Sequence, residues 1–549
     1  MSQEKQMRSG GEILVEALRI HGIDTVFGVP GESALPFFDA VANPDAGVRF
    51  IQCRHEASAS HMAEADAKLR GAPSALIVSR GPGAMHAAIG LHTARQDSTP
   101  MLMIVGQVPT TERGREGFQE VDYSRMFADM TKFVAEVHSP EQIPEYVHRA
   151  LHFATHGRPG PVVLVVPEDV LETMSDVADF PAFKPALSSP SKSDIAEVAE
   201  LLRKAERPLV IVGGSGWTQE ASAQVTRFCV ANNVPVVAGF RSQDIVDNRL
   251  DQYIGDTSLG GSMALAERIK QADVLLVIGD RLSEITTKAY TALNVPVPNQ
   301  TLIHVFPGPE DIGSVYNPHL PIVSNPTRFV EALGEVGRLD SSAWDEWTRD
   351  GRDAYEAFQA TPNKAVGINN ANIIKHLSET LPEDAIVTNG AGNYAIWLHR
   401  FFRYKKFGTQ LAPKSGAMGY GLPAGIAAKL RNPDRTVVTL AGDGCFMMAS
   451  PDFATAVQHN LGLIVVVFNN NIYGSIRMHQ ERQFPGRPSG TSLTNPDFAQ
   501  LAKSYGVFGT VVESEDEFPA ALEQALASGG PAIIEVRTSE RQLTPDFII

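Results

Sequence analysis

The feature that most constrains the fold is a series of short apolar, β-rich runs without polar alternation. Ala75–Val78, Met101–Val105, Val162–Val166, Leu209–Val212, Val274–Ile278, Val437–Leu440, Ile464–Phe468 and Ile533–Val536 have this character, and helix-length segments separate them. A strand with one wet face alternates apolar and polar residues, whereas a strand that is apolar throughout is covered on both faces. The repeated strand–helix order therefore predicts an α/β chain of doubly wound parallel-sheet domains.

A chain of 549 residues is too long for one hydrophobic core. Residues 180–194 (FPAFKPALSSPSKSD), rich in Pro and Ser and without periodicity, look like a linker. A second linker is expected at 360–367, after a polar helical segment containing Trp344 and Trp347. The predicted division is 1–180, 190–340 and 365–549, and no short-period repeat points to a solenoid.

Composition narrows the function. The net charge of −16 disfavours a nucleic-acid partner, because phosphates are met by clustered Lys and Arg. The one mildly basic run, around Arg400–Lys406, reads as a solvated helix end. Apolar stretches such as Leu461–Phe468 are far short of the ~20 residues that span a bilayer, so no membrane partner is expected. The N-terminus lacks the apolar core of a signal peptide. Cys53, Cys229 and Cys445 are widely spaced and lack metal-ligand pairing, so a reducing, cytoplasmic location is expected.

The third block carries the chemistry. Its strand from Thr436 to Leu440 breaks into Ala441-Gly442-Asp443-Gly444. That places a carboxylate at the C-terminal edge of a parallel sheet, between glycines that let backbone N–H groups approach a phosphate. A helical segment is predicted at Pro451–Asn460, whose N-terminus would favour an anion. The next strand emits Asn469-Asn470-Asn471, with Asn470 27 positions after Asp443, about one strand–helix–strand unit. Neighbouring strands thus bring a carboxylate and an amide oxygen to one edge, a hard-oxygen set suited to Mg²⁺ on a diphosphate.

This pairing of Gly-Asp-Gly with Asn-Asn resembles the signature of the thiamine-diphosphate-dependent enzymes. The resemblance implies that Asp443, Asn470 and the Ile472 carbonyl hold Mg²⁺, with Gly442, Gly444, Cys445, Tyr473, Gly474 and Ser475 near the diphosphate. It also implies a Glu on another domain that hydrogen-bonds the aminopyrimidine ring, and Ile51-Gln52-Cys53-Arg54-His55-Glu56 supplies one. Glu56 should be buried, with a raised pKa that suits proton donation near neutral pH. Phe27-Gly28-Val29-Pro30-Gly31-Glu32 and Arg80-Gly81-Pro82-Gly83-Ala84 resemble the family's cofactor loops.

Gly106-Gln107-Val108-Pro109, Phe118-Gln119-Glu120 and Gly157–Val162 are similar to the acetolactate synthase branch, as is Ser415-Gly416-Ala417-Met418-Gly419-Tyr420-Gly421. There the methionine props the cofactor in its bent form, and Gly392, Asn393 and Tyr394 join the cofactor set. The resemblance spans almost the whole chain, in the order pyrimidine-binding, central and diphosphate-binding domain. It implies an enzyme that works through an ylide and an enamine as a carboligase or decarboxylase of a small 2-oxo acid. It also implies a homodimer or homotetramer with active sites between subunits.

The departures fall at the expected substrate pocket. His479 stands where acetolactate synthases carry a Trp, His86 where the family usually shows Asn, and Glu32 where relatives often have small residues. Phe118 and Gln119 complete that pocket. These changes leave open a lyase that splits a 2-hydroxy ketone or a 2-hydroxyacyl thioester; an inactive cofactor-binding subunit is a minor alternative, against which the intact Glu56 argues. FAD also stays open: Val212–Gly216 and Gly279–Arg281 resemble its turns, while Ser258–Gly261 and His304–Pro307 depart from them.

Overall fold

The computed structural model describes residues 7–362 and 365–549. The first six residues of the N-terminus and residues 363–364 of the second predicted linker lie outside the described residues. Three six-stranded sheets are present, each parallel throughout.

The first sheet runs Arg49–Gln52, Thr25–Gly28, Ser74–Val78, Met101–Gln107, Pro161–Pro167, Phe133–Glu136. The third runs Gln410–Leu411, Ile386–Asn389, Val437–Gly442, Leu463–Asn469, Ala532–Arg537, Phe508–Val512. Numbered along the chain, both have the order 2-1-3-4-6-5. The middle sheet, from Tyr253–Asp256 across to Leu320–Val323, has the order 3-2-1-4-5-6. In each case the order reverses beside the strand that comes first in the chain, and ligands of such sheets bind at the C-terminal strand ends beside that reversal.

The described chain forms two compact units. One comprises residues up to Ala186 with Ile426–Arg431 and Ala449–His459, and holds the first sheet. The other comprises Leu187–Gly425, Asn432–Met448 and Asn460–Ile549, and holds the other two.

All eight apolar runs predicted as strands are strands, and all are interior ones with a neighbour on each side. Their side chains are buried, with Val438, Val465 and Val466 fully so. Each such residue contributes about 1.5–3 kcal/mol relative to exposure.

Gly442 is the N-cap of a helix at Asp443–Met447, so Gly-Asp-Gly leads directly from strand to helix. Two local expectations are corrected. The segment predicted as one helix over Pro451–Asn460 is a 3₁₀ turn, Ser450–Asp452, followed by a helix at Phe453–Gln458. The basic run is also not simply solvated. Arg400 stacks on Phe358 at 4.0 Å and pairs with Asp546 at 2.7 Å, and Lys405 Nζ donates to the Ser378 carbonyl at 2.6 Å.

Burial makes one pH prediction. His61, 2% exposed on the helix Glu56–Arg70, is pushed down from the ordinary histidine range to about 3 by burial. The folded chain holds the ring neutral, whereas the unfolded chain protonates it below about pH 6.5. Its stabilising contribution is therefore full above that pH and is lost as pH falls toward 3, at about 1.4 kcal/mol per unit. The wild-type chain should melt earlier at pH 5 than at pH 7, and His61→Gln should narrow that gap. An unchanged gap would contradict the assignment.

Candidate active site

The strands on either side of the order reversal in the third sheet are Ile386–Asn389 and Val437–Gly442. Their C-terminal ends open into a cavity of about 230 Å³. Every residue of the third block assigned from sequence to the cofactor lines it: Gly392, Asn393, Tyr394, Gly416, Met418, Gly442, Asp443, Gly444, Cys445, Asn470, Ile472, Tyr473, Gly474 and Ser475.

Asp443 is 3% exposed. One carboxylate oxygen accepts from the Gly444 N–H at 2.8 Å, and the other accepts from Asn495 Nδ2 at 2.8 Å. Burial pushes this carboxyl above the usual carboxylate range, and those donors pull it partly back. The Asn470 amide oxygen, which accepts from the Ile472 N–H at 3.3 Å, lines the same cavity.

Several features of the wall fit a polar ligand. The Asn393 amide oxygen accepts from Ser475 Oγ at 2.7 Å, while its buried Nδ2 donor has no partner. Asn370 Oδ1 and Gln542 Nε2 are also buried in the wall without partners. Orphaned buried polar atoms are costly, and several converging on one cavity mark a site that a ligand completes.

Two glycines at the wall leave no room for a side chain. A Cβ on Gly390 would lie 2.6 Å from Cys445 Sγ, and one on Gly444 would lie 2.6 Å from the Tyr473 ring. Cys445 is held by the Gly419 N–H at 3.2 Å and Tyr394 Oη at 3.4 Å. Met418 packs partly into the core beneath and presents the rest of its side chain to the cavity.

Asn495 was not foreseen. Its Nδ2 donates to Asp443, to Asn469 Oδ1 at 3.0 Å and to Asn471 Oδ1 at 3.1 Å, tying together both turns that the sequence paired. It lies 24 positions beyond Asn471, in a loop segment without a motif, so no spacing rule would find it.

In the other unit, Glu56 is the first residue of the helix Glu56–Arg70, capped by His55, whose Nδ1 accepts from the Ala57 N–H at 3.1 Å. The Glu56 side chain is 15% exposed, and Oε2 meets His86 Nδ1 at 2.9 Å. His86 stands on the helix Gly81–Asp97, and its ring stacks on His55 at 4.6 Å between centroids.

Pro82 lies in the first turn of that helix, and the Gln119 carbonyl accepts from the Gly81 N–H at 3.0 Å. Gln119 takes a left-handed φ of 65°. Pro30 and Phe118 are exposed, and Glu32 is exposed with a 3.7 Å contact to Arg80. His479 is exposed on the helix Gly474–Gln483 and does not line the cavity around Asp443.

Three family profiles match the chain: the thiamine pyrophosphate enzyme N-terminal TPP binding domain over residues 8–126, the central domain over 195–333, and the C-terminal TPP binding domain over 390–536. The chain is 30% identical over 535 residues to the acetolactate synthase isozyme 2 large subunit of Escherichia coli, covering 97% of this chain and 96% of that protein. It is also 30% identical over 557 residues to a probable acetolactate synthase large subunit of Methanocaldococcus jannaschii, covering 98% and 93%. The Haemophilus influenzae acetolactate synthase large subunit is 29% identical over 535 residues, covering 94% and 92%. Three matched domains in this order, and full-length similarity at that level, place the chain in the thiamine-diphosphate-dependent enzymes, in their acetolactate synthase-like branch.

Proposed function

We propose that the chain is a carboligase or decarboxylase of a small 2-oxo acid, with Mg²⁺ and the cofactor diphosphate held in the cavity around Asp443. The observation that carries this reading is the wall itself: hard oxygens at Asp443, Asn470 and Ile472 beside the unpartnered Asn393 amide donor. A cation there would offset the burial that now disfavours the ionised Asp443. The bound cofactor supplies a nucleophilic carbon and an electron sink for the bond that breaks beside the substrate carbonyl. The chain's own part is to grip the diphosphate, prop the ring with Met418, and exchange a proton at Glu56 Oε.

Residues 1–180, 190–340 and 365–549 then serve as the pyrimidine-binding, central and diphosphate-binding domains. The reading takes a homodimer or a tetramer, in which Glu56 of one copy completes the cavity of another. Support comes from Met85 and Ile89, 54% and 38% exposed on the helix that carries His86. No helix of the described residues is long and apolar enough to cross a membrane, and the reading keeps the cytoplasm as the location. FAD receives no role. A Cβ on Gly213 would meet Asp280 Oδ2 at 2.5 Å and one on Gly214 the Gly279 carbonyl oxygen at 1.8 Å, so close packing accounts for these glycines.

A second reading, lysis of a 2-hydroxy ketone or 2-hydroxyacyl thioester, is favoured by the titratable His86 against Glu56 and by His479 in place of Trp. A substrate panel followed for CO₂ separates the two. Release of CO₂ from a 2-oxo acid is expected, and C–C cleavage without CO₂ would replace the first reading by the second. Turnover of no substrate, with no exchange of the cofactor's C2 proton, would identify an inactive cofactor-binding subunit.

Asn495 gives a further prediction. A residue that orients a metal ligand typically accounts for about 10–100-fold in affinity. Asn495→Ala should therefore weaken joint binding of Mg²⁺ and thiamine diphosphate by that order in a calorimetric titration. Unchanged affinity would remove Asn495 from the site.

A further inference from the structure

We propose that His86 is a positioning residue for Glu56 that also resupplies its proton, an inference resting on Glu56 as the activating carboxylate. The two oxygens of Glu56 have different surroundings. Oε1 lies against Gly83, where a Cβ would come within 3.4 Å, and Oε2 meets His86 Nδ1 at 2.9 Å. The Glu56 side chain is 15% exposed, whereas that of His86 is 53% exposed. The imidazole is thus the more open member of the pair, from which a proton can pass to a nearly enclosed carboxyl.

The ring is held for this task. Its stacking on His55 at 28° between planes fixes the plane of His86. His55 does not compete for Glu56, because its Nδ1 already accepts from the Ala57 N–H. The other ionisable groups nearby are buried Cys53, whose thiol is pushed up by burial and by Asp452 and Glu56, buried Asp452, which accepts from the Arg54 N–H at 2.9 Å, and the Arg54 guanidinium, which donates to Gln458 at 3.0 Å. Residues 82–90 of the His86 helix contain no other charged side chain.

The proton balance is simple. After Glu56 has given up its proton, the Nδ1–H of His86 moves to Oε2 while the ring takes a proton from water at Nε2. Glu56 gains one proton, the ring loses one and gains one, and the buffer neutralises the hydroxide. The reverse sequence empties Glu56 again. An Asn at this position can donate an N–H to Glu56 but cannot carry a proton through.

The test compares wild type, His86→Asn, His86→Ala and Glu56→Gln. Two readouts are used: deuterium exchange at C2 of bound thiamine diphosphate across pH 5.5–8.5, and cofactor affinity by calorimetry over the same range. His86→Asn should keep the wild-type affinity but exchange roughly tenfold more slowly, less than the 10²–10⁴ of a group acting directly on the reactant. Its exchange should also lose the limb of the pH profile that reports the imidazole. His86→Ala should show the same slow exchange together with weaker affinity, and added imidazole should restore the rate.

Wild-type rates and an unchanged pH profile in both His86 variants, with exchange slowed in Glu56→Gln, would overturn the role of His86 alone. Wild-type exchange in Glu56→Gln would instead overturn the reading of Glu56 on which the role rests.

Discussion

Glu56→Gln is expected to slow deuterium exchange at C2 of the bound cofactor by about 10²–10⁴, and turnover with it. The substitution keeps the size of the side chain and an acceptor oxygen for the His86 N–H, so the helix start and the stacked histidines should survive. What disappears is the carboxyl's ability to hold and release a proton at a nearly enclosed position. Melting temperature should hardly move, which separates a chemical defect from a folding one. Full turnover by Glu56→Gln with every accepted substrate would contradict the assignment.

Asp443→Ala is expected to abolish Mg²⁺-dependent binding of thiamine diphosphate, with affinity lower by at least about a hundredfold, roughly 2.8 kcal/mol. The same change should not destabilise the empty protein strongly. Burial already pushes this carboxyl above its usual range, so the empty fold bears the cost of a desolvated acid that the variant removes. Loss of affinity combined with a melting temperature near or above wild type is the pattern expected of a residue kept for its ligand. Retained affinity would place the metal elsewhere.

How far the sequence could be read follows from burial. The eight strands recognised by continuous apolar runs are all interior, because only a strand covered by helices on both faces and flanked by strands on both edges lacks polar residues. The edge strands escape that test. Arg49–Gln52 exposes two of its four residues, Leu320–Val323 alternates buried and exposed, and Gln410–Leu411 is too short to show any pattern.

The cavity around Asp443 was legible for a related reason. Most of its residues sit on turns after the interior strands Ile386–Asn389, Val437–Gly442 and Leu463–Asn469, where position along the chain fixes position at the sheet edge. Gly416 and Met418 follow the edge strand Gln410–Leu411 and were found by resemblance. Asn495 and His86 were not legible as partners of Asp443 and Glu56, since each reaches its acid through a side chain on a segment distant in sequence. The helix beginning at Asp443 was missed because Gly-Asp-Gly is turn chemistry by composition, and only the covered strand end turns it into an N-cap.

One cavity should bind Mg²⁺ and thiamine diphosphate together. Thermal melting of the purified chain with each ligand alone and with both tests this most directly. At about a hundred times the dissociation constant, joint binding should stabilise the fold by roughly 2.7 kcal/mol, and neither ligand alone should do so. That cooperative upward shift, lost in Asp443→Ala, is the predicted result. A melting curve indifferent to the pair would contradict the account.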